Sequence, residues 1–130
     1  MARLDDLAPT REAHDFGSIL ERRVFLAGSA RHAPHFLDVE SILQLEHGKL
    51  VSACSLDGLL HKDRFSTDEW ERLQQIALDK LRDQDAMLVL DVDGYIGSHT
   101  KEEIEFFSAR LGKPVYFLSG MKRTEQQRGR

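Results

Sequence analysis

The sequence predicts an α/β domain: a parallel sheet of about four to five strands with helices on both faces. Three observations carry that expectation. Short continuous apolar runs recur at residues 24–27, 50–54, 86–90 and 115–118, as strands buried on both faces require. Stretches of helical periodicity separate them, which is how parallel strands are joined. Polar or glycine-bearing loops follow three of the runs, at residues 28–34, 55–66 and 91–100.

The elements follow in order. Residues 1–22 form an N-terminal extension whose scattered apolar residues (Leu4, Leu7, Phe16, Ile19, Leu20) surround a Pro9-Thr10 break. The pattern fits one short packed helix or partial disorder. Val24-Phe25-Leu26-Ala27 then reads as a strand ended by Gly28-Ser29. Residues 36–47 carry Phe36, Leu37, Val39, Ile42, Leu43 and Leu45 at helical spacing, and Gly48 stops them. Leu50-Val51-Ser52-Ala53-Cys54 is the second strand. Thr67 is expected to cap a long amphipathic helix bearing Trp70, Leu73, Ile76, Ala77 and Leu81. Ala86-Met87-Leu88-Val89-Leu90 is the third strand, residues 100–111 the next helix, and Val115-Tyr116-Phe117-Leu118 the last strand after Gly112-Lys113-Pro114. The main domain thus spans 23–120, and a basic flexible tail occupies 121–130.

Composition excludes several classes. At 130 residues, 41% hydrophobic and 31% charged, the chain suits one globular domain rather than a disordered segment. A net charge of −4 argues against nucleic acid as partner. The one basic cluster, at residues 122–130, lacks apolar residues and reads as a solvated tail rather than a binding arm. No apolar run approaches the roughly 20 residues that span a bilayer, and no secretory signal opens the chain, so a cytoplasmic protein is expected. The one cysteine, Cys54, excludes an intramolecular disulfide and a cysteine-based zinc site.

Right-handed crossovers place every strand-to-helix loop at the carboxyl edge of the sheet, where ligands bind at the reversal of strand order. The loop Asp91-Val92-Asp93-Gly94-Tyr95-Ile96-Gly97-Ser98-His99-Thr100 is the most informative of the three. Gly94 and Gly97 permit unusual dihedrals and close backbone approach. Ser98, Thr100 and the free N–H groups of the next helix suit a phosphate or a sugar hydroxyl. Glu103 is either a carboxylate aimed into the crevice or half of a capping box, Thr100-Lys101-Glu102-Glu103. Tyr95 can cover a base or ribose, and His99 is a ligand contact or a surface histidine. His61, Lys62 and Arg64 are phosphate ligands or solvated loop residues; Trp70, Phe106 and Phe107 read first as core or subunit contacts. Cys54 reads as a small buried hydrophobe. His32 and His35 flank Pro34 without a carboxylate at ligand spacing, so no metal site is expected.

The order of Val24-Phe25-Leu26-Ala27-Gly28-Ser29, Asp85-Ala86-Met87-Leu88-Val89-Leu90, Gly94-Tyr95-Ile96-Gly97-Ser98-His99-Thr100-Lys101-Glu102-Glu103-Ile104-Glu105 and Gly112-Lys113-Pro114-Val115 resembles the nucleoside 2-deoxyribosyltransferase-like superfamily, including its deoxynucleoside monophosphate N-glycosidases. The resemblance covers residues 23–118. It implies a flavodoxin-like or Rossmann-like sheet and cleavage of an N-glycosidic bond without a cofactor. Glu103 takes the nucleophile's place. Gly28, Ser29, Asp93, Gly94, Tyr95, Gly97, Ser98, His99 and Thr100 form the expected ligand cradle, and a homo-oligomer is implied. The family's second acid, eight residues before the aspartate opening the third strand, falls on Ala77. A second acid then has to come from elsewhere, with Asp57, Asp63, His61 and Asp93 as candidates. The residue types leave two other readings: a catalytically silent nucleotide-binding or sensing module, and a nucleotide phosphoribohydrolase. The last family wants Pro-Gly-Gly at the loop start, where this chain has Asp93-Gly94-Tyr95.

Overall fold

The structure, a computed structural model, describes residues 2–124, 126 and 127. Four strands form one all-parallel sheet: β1 (Arg23–Ala27), β2 (Leu50–Ala53), β3 (Ala86–Val89) and β4 (Val115–Phe117), in the order β2-β1-β3-β4. Val24 pairs with Val51 on one side and Ala86 on the other, and Met87 pairs with Val115. The chain goes from β1 outward to β2, then crosses back to lay β3 on the opposite side of β1. Strand order therefore reverses between the carboxyl ends of β1 and β3, and a crevice opens there.

Each central strand is buried on both faces, which explains its unbroken apolar run. Val24, Leu26, Leu88 and Leu90 meet Phe36, Val39, Ile42 and Leu43 of helix α3. Phe25, Ala27, Met87 and Val89 meet Leu81 and Phe107 on the other face. The helices are α1 (Arg3–Asp6), α2 (Ala8–Ala13), α3 (Ala33–His47), α4 (Leu56–Leu60), α5 (Thr67–Arg82) and α6 (Ser98–Glu105). The chain continues from α6 into one π turn, Phe106–Arg110.

Three helix starts differ from the sequence expectation. α3 begins at Ala33, with Pro34 in its first turn, where a fixed φ and a missing N–H cost nothing. Its Leu37 and Leu45 are exposed, whereas Gly48 ends it at φ 63° as expected. α5 is capped by Ser66 rather than Thr67: Ser66 Oγ accepts the Glu69 N–H (3.2 Å), and Glu69 Oε1 accepts the Ser66 N–H (2.9 Å). Only Ser66 has a glutamate three residues on, so only Ser66 completes the box; Ile76 of that helix is exposed. α6 begins at Ser98 with Gly97 at its N-cap and no side-chain cap bond. Thr100 therefore lies inside the helix, buried, and the Thr100–Glu103 capping box does not form.

The N-terminal extension forms two short helices packed on the α3 face, burying Leu7, Phe16 and Ile19. Arg3 pairs with Asp38 at 2.9 Å and Arg11 with Glu46. The start of the expected tail is not loose. Met121 is buried in the same cluster; its carbonyl accepts the Asp15 N–H, and the Arg123 N–H donates to Ala13 O, both at 2.8 Å. Residues 125 and 128–130 of that tail lie outside the described residues. Among the described residues, no helix is long and apolar enough to cross a membrane.

Candidate functional site

A cavity of about 350 Å³ opens at the switch point. The loop after β1 supplies Gly28 and Ser29, the end of β2 supplies Cys54 and Ser55, and α6 with its preceding loop supplies Tyr95, Gly97, Ser98, His99, Thr100 and Glu103. α4 and α5 close the far side with Leu59, Trp70, Leu73, Gln74 and Ala77.

Gly28 is closely packed where it stands. A Cβ there would come within 3.2 Å of the Phe36 ring and 3.3 Å of Leu90 Cβ, so a larger residue requires those side chains to yield by a few tenths of an ångström. Gly97 differs: its missing side chain would meet Ser29 and Tyr95 only at 3.9 Å. As the N-cap of α6, Gly97 leaves the first N–H groups of the helix without an intrahelical carbonyl to reach, beside the cavity. The positive end of the helix dipole points the same way.

Glu103 stands among these groups with one carboxyl oxygen, Oε2, shielded from solvent and without a hydrogen-bond partner among the described residues. Burial pushes its pKa up to about 7, and the negative charge of Glu102 adds to the shift. Burial likewise raises the Cys54 thiol to about 11, with Glu103 contributing and Lys80 opposing. Cys54 thus lines the cavity as an uncharged thiol, not as a nucleophilic thiolate. Lys80 is occupied elsewhere, donating to Ala53 O at 3.0 Å.

Eight of the ten expected site residues line the cavity: Gly28, Ser29, Tyr95, Gly97, Ser98, His99, Thr100 and Glu103. Asp93 and Gly94 do not. They make the reversal of the loop, at φ 57° and 76°, with the Gly94 N–H donating to Asp91 O at 2.9 Å. Asp91 is buried and anchors the loop: its carboxylate accepts the Ser119 N–H (2.9 Å) and hydroxyl (2.5 Å). Tyr95 carries the Arg31 guanidinium over its ring, 3.9 Å from the centroid. Behind Tyr95 lies His32, buried, with its ring 6.1 Å from those of Tyr95 and His35. Burial lowers the His32 pKa, and His35 and Arg31 push the same way against Asp93 and Asp91.

Several lining residues were not expected from the sequence. Trp70, which the sequence reads as core or subunit contact, forms an apolar cavity wall with Leu59 and Leu73. Lys62 also lines the cavity, its ammonium 5.0 Å from the centre of the Trp70 ring, whereas His61 and Arg64 do not. The apolar stripe of α5 divides: Leu81 packs under the sheet, while Trp70, Leu73 and Ala77 face the cavity. Gln74, beside that stripe, also lines the cavity. Ala77 itself lies on the wall, 6% exposed. Of the other candidates for a second acid, Asp57, Asp63 and Asp93 do not line the cavity either.

No family model, no curated protein and no solved structure matches the chain. Fold and site together define a doubly wound parallel-sheet domain with a largely apolar cavity and a carboxyl group with one buried oxygen at its switch point. Such a cavity suits a ligand with a flat apolar part and a hydroxylated or anionic part.

Proposed function

We propose that the protein cleaves or transfers the N-glycosidic bond of a nucleoside or nucleotide, with Glu103 as the nucleophile. The observation that carries this reading is the Glu103 carboxyl group itself, which borders the cavity, has an unpartnered buried oxygen and takes no part in capping α6. Leaving a carboxyl oxygen buried without a partner is costly. A ligand whose anomeric carbon gains positive charge in the transition state would offset that cost at the moment of reaction. Trp70, Leu59 and Leu73 would cover the base, and Ser29, Ser98 and the α6 N-terminus would hold the sugar or phosphate. The resemblance of the chain to the nucleoside 2-deoxyribosyltransferase-like superfamily supports a homo-oligomer.

Ala77 favours a second reading, a binding or sensing module without catalysis, because the wall facing Glu103 holds no acid there. The test is release of free base from a panel of nucleosides and 5′-monophosphates, with and without an acceptor base, followed by chromatography. Wild type releases base and Glu103→Gln does not. Binding of the same compounds by calorimetry with no base released from any would establish the binding module instead. Because an ionised carboxylate is the nucleophile, kcat/KM rises with pH toward about 7.

A further inference from the structure

We propose that His99 is the proton donor to the departing base, in place of the acid absent at Ala77; this rests on the N-glycosidic reading above. His99 and Glu103 lie one turn apart on α6 and both line the cavity. Side chains four residues apart on a helix stand on one face, with Cβ atoms about 5–6 Å apart. A carboxylate and a proton donor that border one cavity from the same helix face can act on the two sides of one glycosidic bond, the nucleophile on carbon and the acid on the leaving group.

The imidazole is held for this purpose by three neighbours that themselves line the cavity. Gln74 Nε2 sits 3.2 Å from His99 Nδ1 and 3.3 Å from Nε2. Whichever ring nitrogen accepts that N–H, the other carries the proton of the neutral ring. After an amide flip the Gln74 carbonyl can accept from the charged ring, so one residue serves both protonation states. Trp70 meets the ring edge-on at 6.0 Å, and Glu102 Oε2 lies 4.0 Å from Nδ1. Gln74 stands three residues before Ala77 on α5, so the helix that lacks the acid instead steers the histidine.

The step balances. The Glu103 carboxylate forms a bond to the anomeric carbon as the carbon–nitrogen bond breaks. The bonding pair leaves with the base, which takes a proton from the His99 imidazolium. Water then attacks the same carbon and gives its proton to the neutral imidazole. The ester bond breaks, its pair returns to Glu103, and both residues regain their starting charge.

The test compares leaving groups. Wild type, His99→Gln and Glu103→Gln are assayed on 2′-deoxyinosine, inosine and their 5′-monophosphates, and on 4-nitrophenyl riboside and 2-deoxyriboside. Nitrophenolate departs without needing a proton. His99→Gln should lose about 10²–10⁴-fold on the nucleosides, the worth of general acid catalysis, and at least tenfold less than that on the nitrophenyl substrates. Glu103→Gln should lose both. Equal losses on the two substrate classes, or no loss on nucleosides, would overturn the role of His99 while leaving the glycosidic reading in place. A wild type inert on every compound would remove that reading, and the donor with it.

Discussion

Burial, aided by the charge of Glu102, lifts the pKa of the Glu103 carboxyl group from 4.5 to about 7. The folded state binds this proton more tightly than the unfolded chain. Stability from that proton is present below the unfolded value, falls as pH rises toward 7, and stays lost above it. Glu103→Gln, which keeps shape and removes charge, should therefore stabilise the fold at pH 8 by on the order of 2–3 kcal/mol and leave it nearly unchanged at pH 4. Denaturant unfolding at the two pH values reads this out. Equal effects at both would mean the carboxyl group is solvated. Spacing alone left Glu103 ambiguous, since Thr100-x-x-Glu103 fits a cap. The start of α6 at Ser98 removes that ambiguity, and a shift of two residues is finer than composition near Gly97 can specify.

The elements differ in how plainly the chain announces them. β1 and β3 are legible because both faces are buried, so every residue after the exposed Arg23 is apolar. Helix starts were less so, since Ser66 and Thr67 are both good caps and only the partner at Glu69 decides. Ser66→Ala should cost about 1 kcal/mol and Thr67→Ala much less; thermal melts of the two variants separate them. The π turn at residues 106–110 had no sequence signal. Gly48 offers a control away from the cavity: its φ of 63° has nothing within 4 Å of an added Cβ. Gly48→Ala should lower stability by about 1–2 kcal/mol through backbone strain alone and leave ligand binding intact. The cavity wall on α5 was half legible. Its apolar stripe reads as core throughout, yet Trp70 and Leu73 line the cavity while Leu81 is core.

For the molecule as a whole, the order β2-β1-β3-β4 brings loops distant in sequence to one crevice. Alternation of strands and helices made that convergence readable before any contact was seen. The N-terminal extension was not readable in the same way: it has too few apolar residues to show a period, yet Phe16 and Ile19 are 2% exposed against α3 and Met121. Phe16→Ala should cost about 3–5 kcal/mol, as expected for a core aromatic, and a melt unchanged by it would make the extension an appendage. The most direct measurement of the central claim is capture of the covalent intermediate. A 2′-deoxy-2′-fluoro nucleoside, whose fluorine slows both formation and breakdown of the ester, is incubated with wild type and Glu103→Gln. Intact-protein and peptide mass spectrometry follow. Wild type should gain one fluorosugar, mapped to Glu103, and the variant none. Base release without any adduct on Glu103, or at an equal rate from Glu103→Gln, would contradict the account.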